Sequence, residues 1–340
     1  MDDFYQQSIK AQEARMLDLA RLAMTRWDAR LSDISLIKYR ENGVFSIRDD
    51  AGQRYALRIH RAGYHTDAEL VSELQWMDAM RHAGIATPPV IPASDGSLFV
   101  LVEHPSIPEP RQVDLLGWLD GEPVGAIEDQ NSTDEADVDG LYHRIGQLAA
   151  RLHTKSAAWP LPSGFTRHSW DTEGLLGENP FWGRFLDLPA LGALQRELIE
   201  RACQKARQAL AEFGRDAGNY GLIHADFVPE NLLQRGEELL LIDFDDSGFG
   251  WHMFELATAL YFQIGGSQFE RIKAAILDGY RSVRALPGSH WAQLPLFLLL
   301  RSLTYLGWVH TRHETETARS LTPMFIERTE QLARAYLAAD

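Results

Sequence analysis

A carboxylate and an amide stand five positions apart in Gly221-Leu-Ile-His224-Ala-Asp226-Phe-Val-Pro-Glu-Asn231, and a short turn later Leu239-Leu-Leu-Ile-Asp243-Phe-Asp245-Asp246 adds three more carboxylates. Residue types in this order suit phosphoryl transfer from a metal-bound nucleotide. Asp226 can receive or orient the proton of an attacking hydroxyl, while the Asn231 amide oxygen and the Asp243 carboxylate are hard ligands suited to Mg²⁺. A lone Asp on a turn more often caps or closes a loop, and an Asp-to-Asn spacing of five recurs by chance. Two such elements joined by an expected hairpin, each entered by an apolar strand, favour the catalytic reading.

These motifs resemble those of the aminoglycoside phosphotransferase and choline kinase superfamily, small-molecule kinases with a protein-kinase-like fold. The resemblance runs from the region of Glu41 to about Phe262. It implies an α+β protein of two lobes, a small one built on a five-stranded antiparallel sheet and a larger, mostly helical one. It further implies ATP as donor, with GTP not excluded, and Mg²⁺ as the ion. Carried over, the catalytic residue is Asp226 and the metal ligands are Asn231 and Asp243.

The elements that must position these residues are legible in outline. Helical spacing over about 8–27, with Ile9, Leu17 and Met24 on the apolar side, predicts an N-terminal helix. Strand-like runs follow at 34–40, 43–49 and 54–60, the last two joined across Asp49-Asp50-Ala51-Gly52. A helix is expected over 66–83, ended by Gly84 and the Pro88-Pro89 pair, then strands at 98–103 and 112–118. Residues 1–118 are thus expected to form the first lobe and 119–340 the second. An acidic connection, Glu122 to Gly140, leads to a helix whose face carries Leu141, Ile145, Leu148 and Leu152. The remainder is expected to be helical apart from the catalytic hairpin.

On the nucleotide side, Glu41-Asn42-Gly43-Val44-Phe45-Ser46 stands where a phosphate-covering loop is needed. Asn42 and Gly43 are residue types that adopt unusual backbone angles and present N–H groups to an anion. An ordinary tight turn is the plainer reading; the following strand, which bears Arg58, favours phosphate contact. By the resemblance, Arg58 takes the place of the strand lysine of kinases, a departure that keeps the charge but changes the head-group geometry. Its expected partner is Glu73, with Glu69 on the same helical face. The resemblance also implies a hinge at Leu115 to Gly121, with backbone groups of Gly117 and Leu119 reading the adenine.

On the acceptor side, the chain after Asp243 is expected to enter a helix at once, and Ala225 replaces the arginine of the kinase His-Arg-Asp motif. Both features favour a small molecule over a peptide. The segment Arg167 to Gly183 mixes aromatics and acids; Trp170 and Trp182 are candidates to face a cationic amine, with Asp171 or Glu173 neutralising it. Asp245 and Asp246 are further candidates. The plainer reading is a loop whose tryptophans pack on neighbouring helices.

Composition sets limits. With 48 acidic and 33 basic side chains the formal charge is −15, which disfavours nucleic acid and anionic membranes as partners. The single cysteine, Cys203, excludes an internal disulfide, and Met1-Asp-Asp-Phe-Tyr lacks the features of a signal peptide, so a cytoplasmic location is expected. The apolar stretch Leu294 to Val309 is interrupted by Arg301 and reads as a buried helix. No partner protein is evident. The expectation is an ATP-dependent phosphotransferase acting on a hydroxyl of a small, amine-bearing molecule; the alternatives are a protein Ser/Thr kinase of the same superfamily and a nucleotide-binding pseudokinase.

Overall fold

The computed structural model describes residues 4–39, 42–125 and 138–339. Most of the expected acidic connection, 126–137, and Glu41 of the phosphate-loop segment lie outside the described residues. The chain forms two compact units: Met1–Gly121 with Leu161–Thr166 and Leu240–Ile242, and Glu122–Pro160 with Arg167–Leu239 and Asp243–Asp340.

The first unit is built on a five-stranded antiparallel sheet. In spatial order its strands are Leu31–Tyr39, Gly43–Asp49, Arg54–Ile59, Arg111–Gly117 and Val100–Val102. Phe45 and Ile47, two apart on the second strand, share one face and with Leu57, Ile59, Val113 and Leu115 make it apolar. The N-terminal helix Ile9–Met24 covers that face with Met16, Leu19, Ala20 and Ala23; Ser8 caps it by accepting the Ala11 N–H. The hairpin turn at 49–53 is closed by the Asp49 carboxylate, which accepts the N–H groups of Ala51 and Gln53, both at 2.9 Å. The first strand starts earlier than its alternation suggests. A register shift between Ser32 and Ser35, with Asp33 at φ 46°, breaks the period of two there.

The helix Asp67–His82 opens with a capping box, in which Thr66 accepts the Glu69 N–H and the Glu69 carboxylate accepts the Thr66 N–H. Glu69 therefore serves the helix start, and Glu73, one turn on, is the buried acid of this helix.

The second unit is mostly helical: Val138–Ala158, Ala193–Phe213, His252–Tyr261, Phe269–Arg281, Leu294–Thr311 and Glu316–Ala338. It also holds strands that the sequence reading assigns to helix or loop. Gly248–Trp251 pairs antiparallel with Tyr220–Ile223 and parallel with Ser169–Trp170. Gly-Phe-Gly-Trp has poor strand propensity, yet the glycines are required: a Cβ on Gly250 would lie 2.5 Å from Ile223 Cδ1, and one on Gly248 2.5 Å from the His168 carbonyl oxygen. The chain after Asp243 thus makes a strand before the helix starting at His252, where direct entry into a helix was expected. Among the described residues no helix is long and apolar enough to cross a membrane.

Candidate active site

In the second unit, strand Tyr220–Ile223 delivers His224, Ala225 and Asp226 into a turn held from two sides. Ala225 has φ 65°, a left-handed conformation that costs a non-glycine residue about 1–2 kcal/mol. The wholly buried Glu255 carboxylate accepts the N–H of His224 at 2.8 Å and of Ala225 at 2.7 Å. The Ala225 carbonyl accepts from Arg301 Nη1 at 3.0 Å. Strain of this kind persists only where the surroundings over-determine it, and here both polar groups of the strained residue are clamped.

Asp226 follows directly. Its Oδ1 accepts from Arg301 Nη2 at 2.8 Å and its Oδ2 from Asn231 Nδ2 at 2.8 Å; Asn231 Nδ2 also reaches the Asp226 carbonyl at 3.0 Å. The side chain keeps 21% of its surface exposed. Burial and the nearby Asp246 carboxylate push its pKa up, to about 7, against the opposing pull of Arg301 and Asn231. With Nδ2 of Asn231 engaged on Asp226, Oδ1 is the atom it can offer a cation. Asp243 is exposed, at φ 64° on the turn after its strand. An amide oxygen and a carboxylate form the hard donor set a divalent cation takes, so these residues fit the expected ion.

The turn after Asp243 is fixed by buried Arg167, whose Nε donates to the Ser247 carbonyl at 2.6 Å and Nη2 to the Asp245 carbonyl at 2.6 Å. Trp170 and Trp182 both serve Asp246. Trp170 Nε1 donates to its backbone carbonyl at 2.8 Å, and Trp182 Nε1 to its Oδ1 at 3.0 Å.

Both tryptophans are packed within the protein, the plainer of the two readings the sequence allows. Trp170 is wholly buried and stacked on Phe254 at 5.5 Å. The Trp182 ring already has a cation: the Arg301 guanidinium carbon lies 4.7 Å from its centroid, 4.4 Å from that of Tyr305 and 5.7 Å from that of Phe254. Asp171 is likewise engaged. It caps the short helix Thr172–Leu176 and pairs with Arg215 at 2.9 Å. Glu173 is exposed and lines an open cleft of about 570 Å³ together with His168, Ser169, Glu178, Asn179 and Phe181. Asp245 is buried.

In the first unit, Arg58 is buried and forks onto Asp114, with Nε at 2.9 Å from Oδ1 and Nη2 at 2.7 Å from Oδ2; Nη2 also reaches Glu73 at 3.0 Å. The structure thus pairs Arg58 with Glu73 and adds Asp114, which sequence reasoning missed. Arg58 and Asp114 are direct cross-strand neighbours. Burial alone would raise Asp114, but the Arg58 guanidinium and the His60 ring beside it outweigh burial and hold it at about 2. Asn42 accepts the Arg61 N–H at 3.0 Å through its side chain, and Gly43 is an ordinary strand residue opposite Ile59, without a left-handed angle. At the expected hinge, the Gly117 N–H is engaged by the Pro89 carbonyl at 2.8 Å, and a Cβ there would lie 2.4 Å from the proline ring. Any hinge donor must therefore come from a residue such as Leu119.

Sequence reasoning also passed over Arg301, treated only as an interruption of an apolar helix. The available signal was that interruption itself, since a charge inside a buried, mainly apolar helix must be paired.

The chain is similar to known phosphotransferases. The model of a phosphotransferase enzyme family matches residues 34–286. A solved microcompartment-associated aminopropanol kinase shares 32% identity, superposes with TM-score 0.83 and is covered over 98% of its length by 95% of this chain. A homoserine kinase of Mesorhizobium japonicum is 26% identical over 83% of this chain and 85% of its own. An amicoumacin kinase solved with AMP-PNP, Ca²⁺ and its antibiotic shares the fold, at 19% identity and TM-score 0.75 over 95% of this chain and 96% of its own.

Proposed function

Since the chain belongs to this phosphotransferase enzyme family and is a small-molecule kinase, we propose that it transfers the γ-phosphate of ATP to the hydroxyl of an amino alcohol. The observation that carries the reading is the placement of the Asp226 carboxylate between Arg301 and Asn231, one donor on each oxygen. Asp226 orients the acceptor hydroxyl and takes its proton as the oxygen attacks. Asn231 Oδ1 and Asp243 would hold Mg²⁺, which when bound neutralises charge on the phosphates. Arg58, fixed by Asp114 and Glu73, is the candidate phosphate contact of the first unit, with Asn42 and Gly43, at the start of the preceding strand Gly43–Asp49, as further candidates. The Gly117 carbonyl and the Leu119 N–H read the adenine. The similarity to an aminopropanol kinase supports an amino alcohol as acceptor. Asp246 supplies the charge that recognises its ammonium, with Glu173 on the neighbouring cleft. A cytoplasmic location suits a nucleotide-dependent enzyme.

The test is ADP release from Mg·ATP, with Mg·GTP in parallel, across amino alcohols, hydroxy amino acids including homoserine, and sugars. Turnover with amino alcohols well above the other classes is expected. A preference for homoserine or for neutral sugars would replace the amino-alcohol reading.

A further inference from the structure

We propose that Arg301 is a positioning residue for phosphoryl transfer, acting through Asp226; this rests on the reading of Asp226 as the carboxylate that meets the acceptor hydroxyl. Arg301 sits in the mainly apolar helix Leu294–Thr311 and is wholly buried. Removing a guanidinium from water is costly unless its donors and charge are matched. Its matches all lie at the catalytic turn or its wall: the Ala225 carbonyl, Asp226 Oδ1, the Tyr305 hydroxyl at 2.8 Å, and the rings of Trp182, Tyr305 and Phe254.

A carboxylate held by one donor can swing about its terminal torsion, which is broad and nearly two-fold. Asp226 has one donor on each oxygen, Asn231 from the following turn and Arg301 from a helix 75 residues away in sequence. The plane of the carboxylate is thereby set, and with it the lone pairs presented to a hydroxyl. Small errors in such placement are expensive in rate. The same guanidinium grips the carbonyl of left-handed Ala225, so the turn and the side chain are fixed by one group. Bridging the two acceptors takes a planar fork, which an ammonium does not provide. Trp182 joins the assembly on its far side, with its ring against Arg301 and its Nε1–H on Asp246.

The experiment compares Arg301→Met, Arg301→Lys, Asp226→Asn and the double variant Arg301→Met/Asp226→Asn by steady-state kinetics with an amino alcohol. Loss of a charge-assisted hydrogen bond predicts that Arg301→Met lowers kcat by about 10- to 100-fold while the KM for ATP stays within about twofold. In the Asp226→Asn background the same change is expected to remove nothing further, because the group it acts through has gone. Multiplying losses would mean a general structural role and would overturn the proposal. Should Arg301→Met not fold, Arg301→Lys keeps the stem and the charge and is expected to lose kcat by about tenfold; wild-type kcat in a folded Lys variant overturns the proposal equally. Normal turnover by Asp226→Asn alone would instead remove the functional reading on which this rests.

Discussion

Glu255 holds Ala225 in a conformation that alanine disfavours: the buried carboxylate accepts the Ala225 N–H at 2.7 Å while the residue stands at φ 65°. Helix His252–Tyr261 thus reaches back to the turn that presents Asp226, and a backbone shape is maintained by a side chain from another element.

Substitutions at Ala225 are expected to rank by their tolerance of that angle. Ala225→Gly should be neutral or stabilising by up to about 1 kcal/mol, because relief of the left-handed cost is partly offset by glycine's looser unfolded chain. Ala225→Val should lose more than about 2 kcal/mol, since a β-branched residue at positive φ in a packed site is doubly penalised. Urea unfolding measures both; a Val variant as stable as wild type would show that the strain is not real.

Asp114→Asn is expected to destabilise the protein by about 2 to 4 kcal/mol at pH 7, the range for breaking a buried ion pair from one side. It should also raise the KM for ATP, because Arg58 loses the fork that orients it. The pH dependence has a fixed sign. A carboxyl held at about 2 instead of the ordinary 3.8 adds on the order of 2 kcal/mol above about pH 4, lost as pH falls through 2. Unchanged stability and unchanged KM in the variant would show that Arg58 does not depend on this partner.

Two stacked buried histidines predict a second pH effect. His153 and His252 lie 4.2 Å apart, 17° from parallel, and His153 Nδ1 meets the Tyr280 hydroxyl at 2.9 Å. Burial, aided by the Arg284 cation, pushes His153 down to about 3; burial and then His153 itself push His252 well below its usual range. Both therefore stay neutral in the folded chain, while the unfolded chain protonates them below about pH 6.5. Stability should fall as pH drops below that value, by up to about 1.4 kcal/mol per pH unit for each histidine. Glu255, raised mainly by burial, offsets part of this. Denaturant titrations at pH 7.5, 6.5 and 5.5 should show a shallower slope for His153→Gln than for wild type; equal slopes would place the pH response elsewhere.

How much of this was open to a reader of the sequence differs from residue to residue. The contact between Asp226 and Asn231 is legible because the two stand five positions apart on one tight turn. The Arg58 to Glu73 pair was expected from the family resemblance, which sets a strand cation against an acid of the following helix, and the two meet at 3.0 Å. Asp114 and Arg301 were missed although each is a charge inside an apolar run, Val113-Asp-Leu-Leu and Leu298-Leu-Leu-Arg-Ser-Leu, which is itself the sign of a buried partner. Strand Gly248–Trp251 was hidden because its glycines answer close neighbours in three dimensions, not a local preference. For Trp182 the sequence left two readings open, because aromatic composition does not say whether the cation beside a ring comes from a ligand or from the chain.

Asp246→Asn is expected to raise the KM for an amino alcohol by roughly 10- to 100-fold, with the KM for ATP almost unchanged, as loss of one charge-assisted contact requires. Glu173→Gln, exposed on the adjoining cleft, should have the smaller effect. An acceptor KM indifferent to Asp246→Asn would remove it from the acceptor site.

The most direct test of the whole account compares two acceptors that differ only in charge: 1-amino-2-propanol and propane-1,2-diol, in which a hydroxyl replaces the amine. Measured as Mg·ATP-dependent formation of the phosphate ester by wild-type protein, kcat/KM is expected to be at least about tenfold higher for the amine. Equal values, or a preference for the neutral diol, would contradict an acceptor site built around the Asp246 carboxylate next to Asp226.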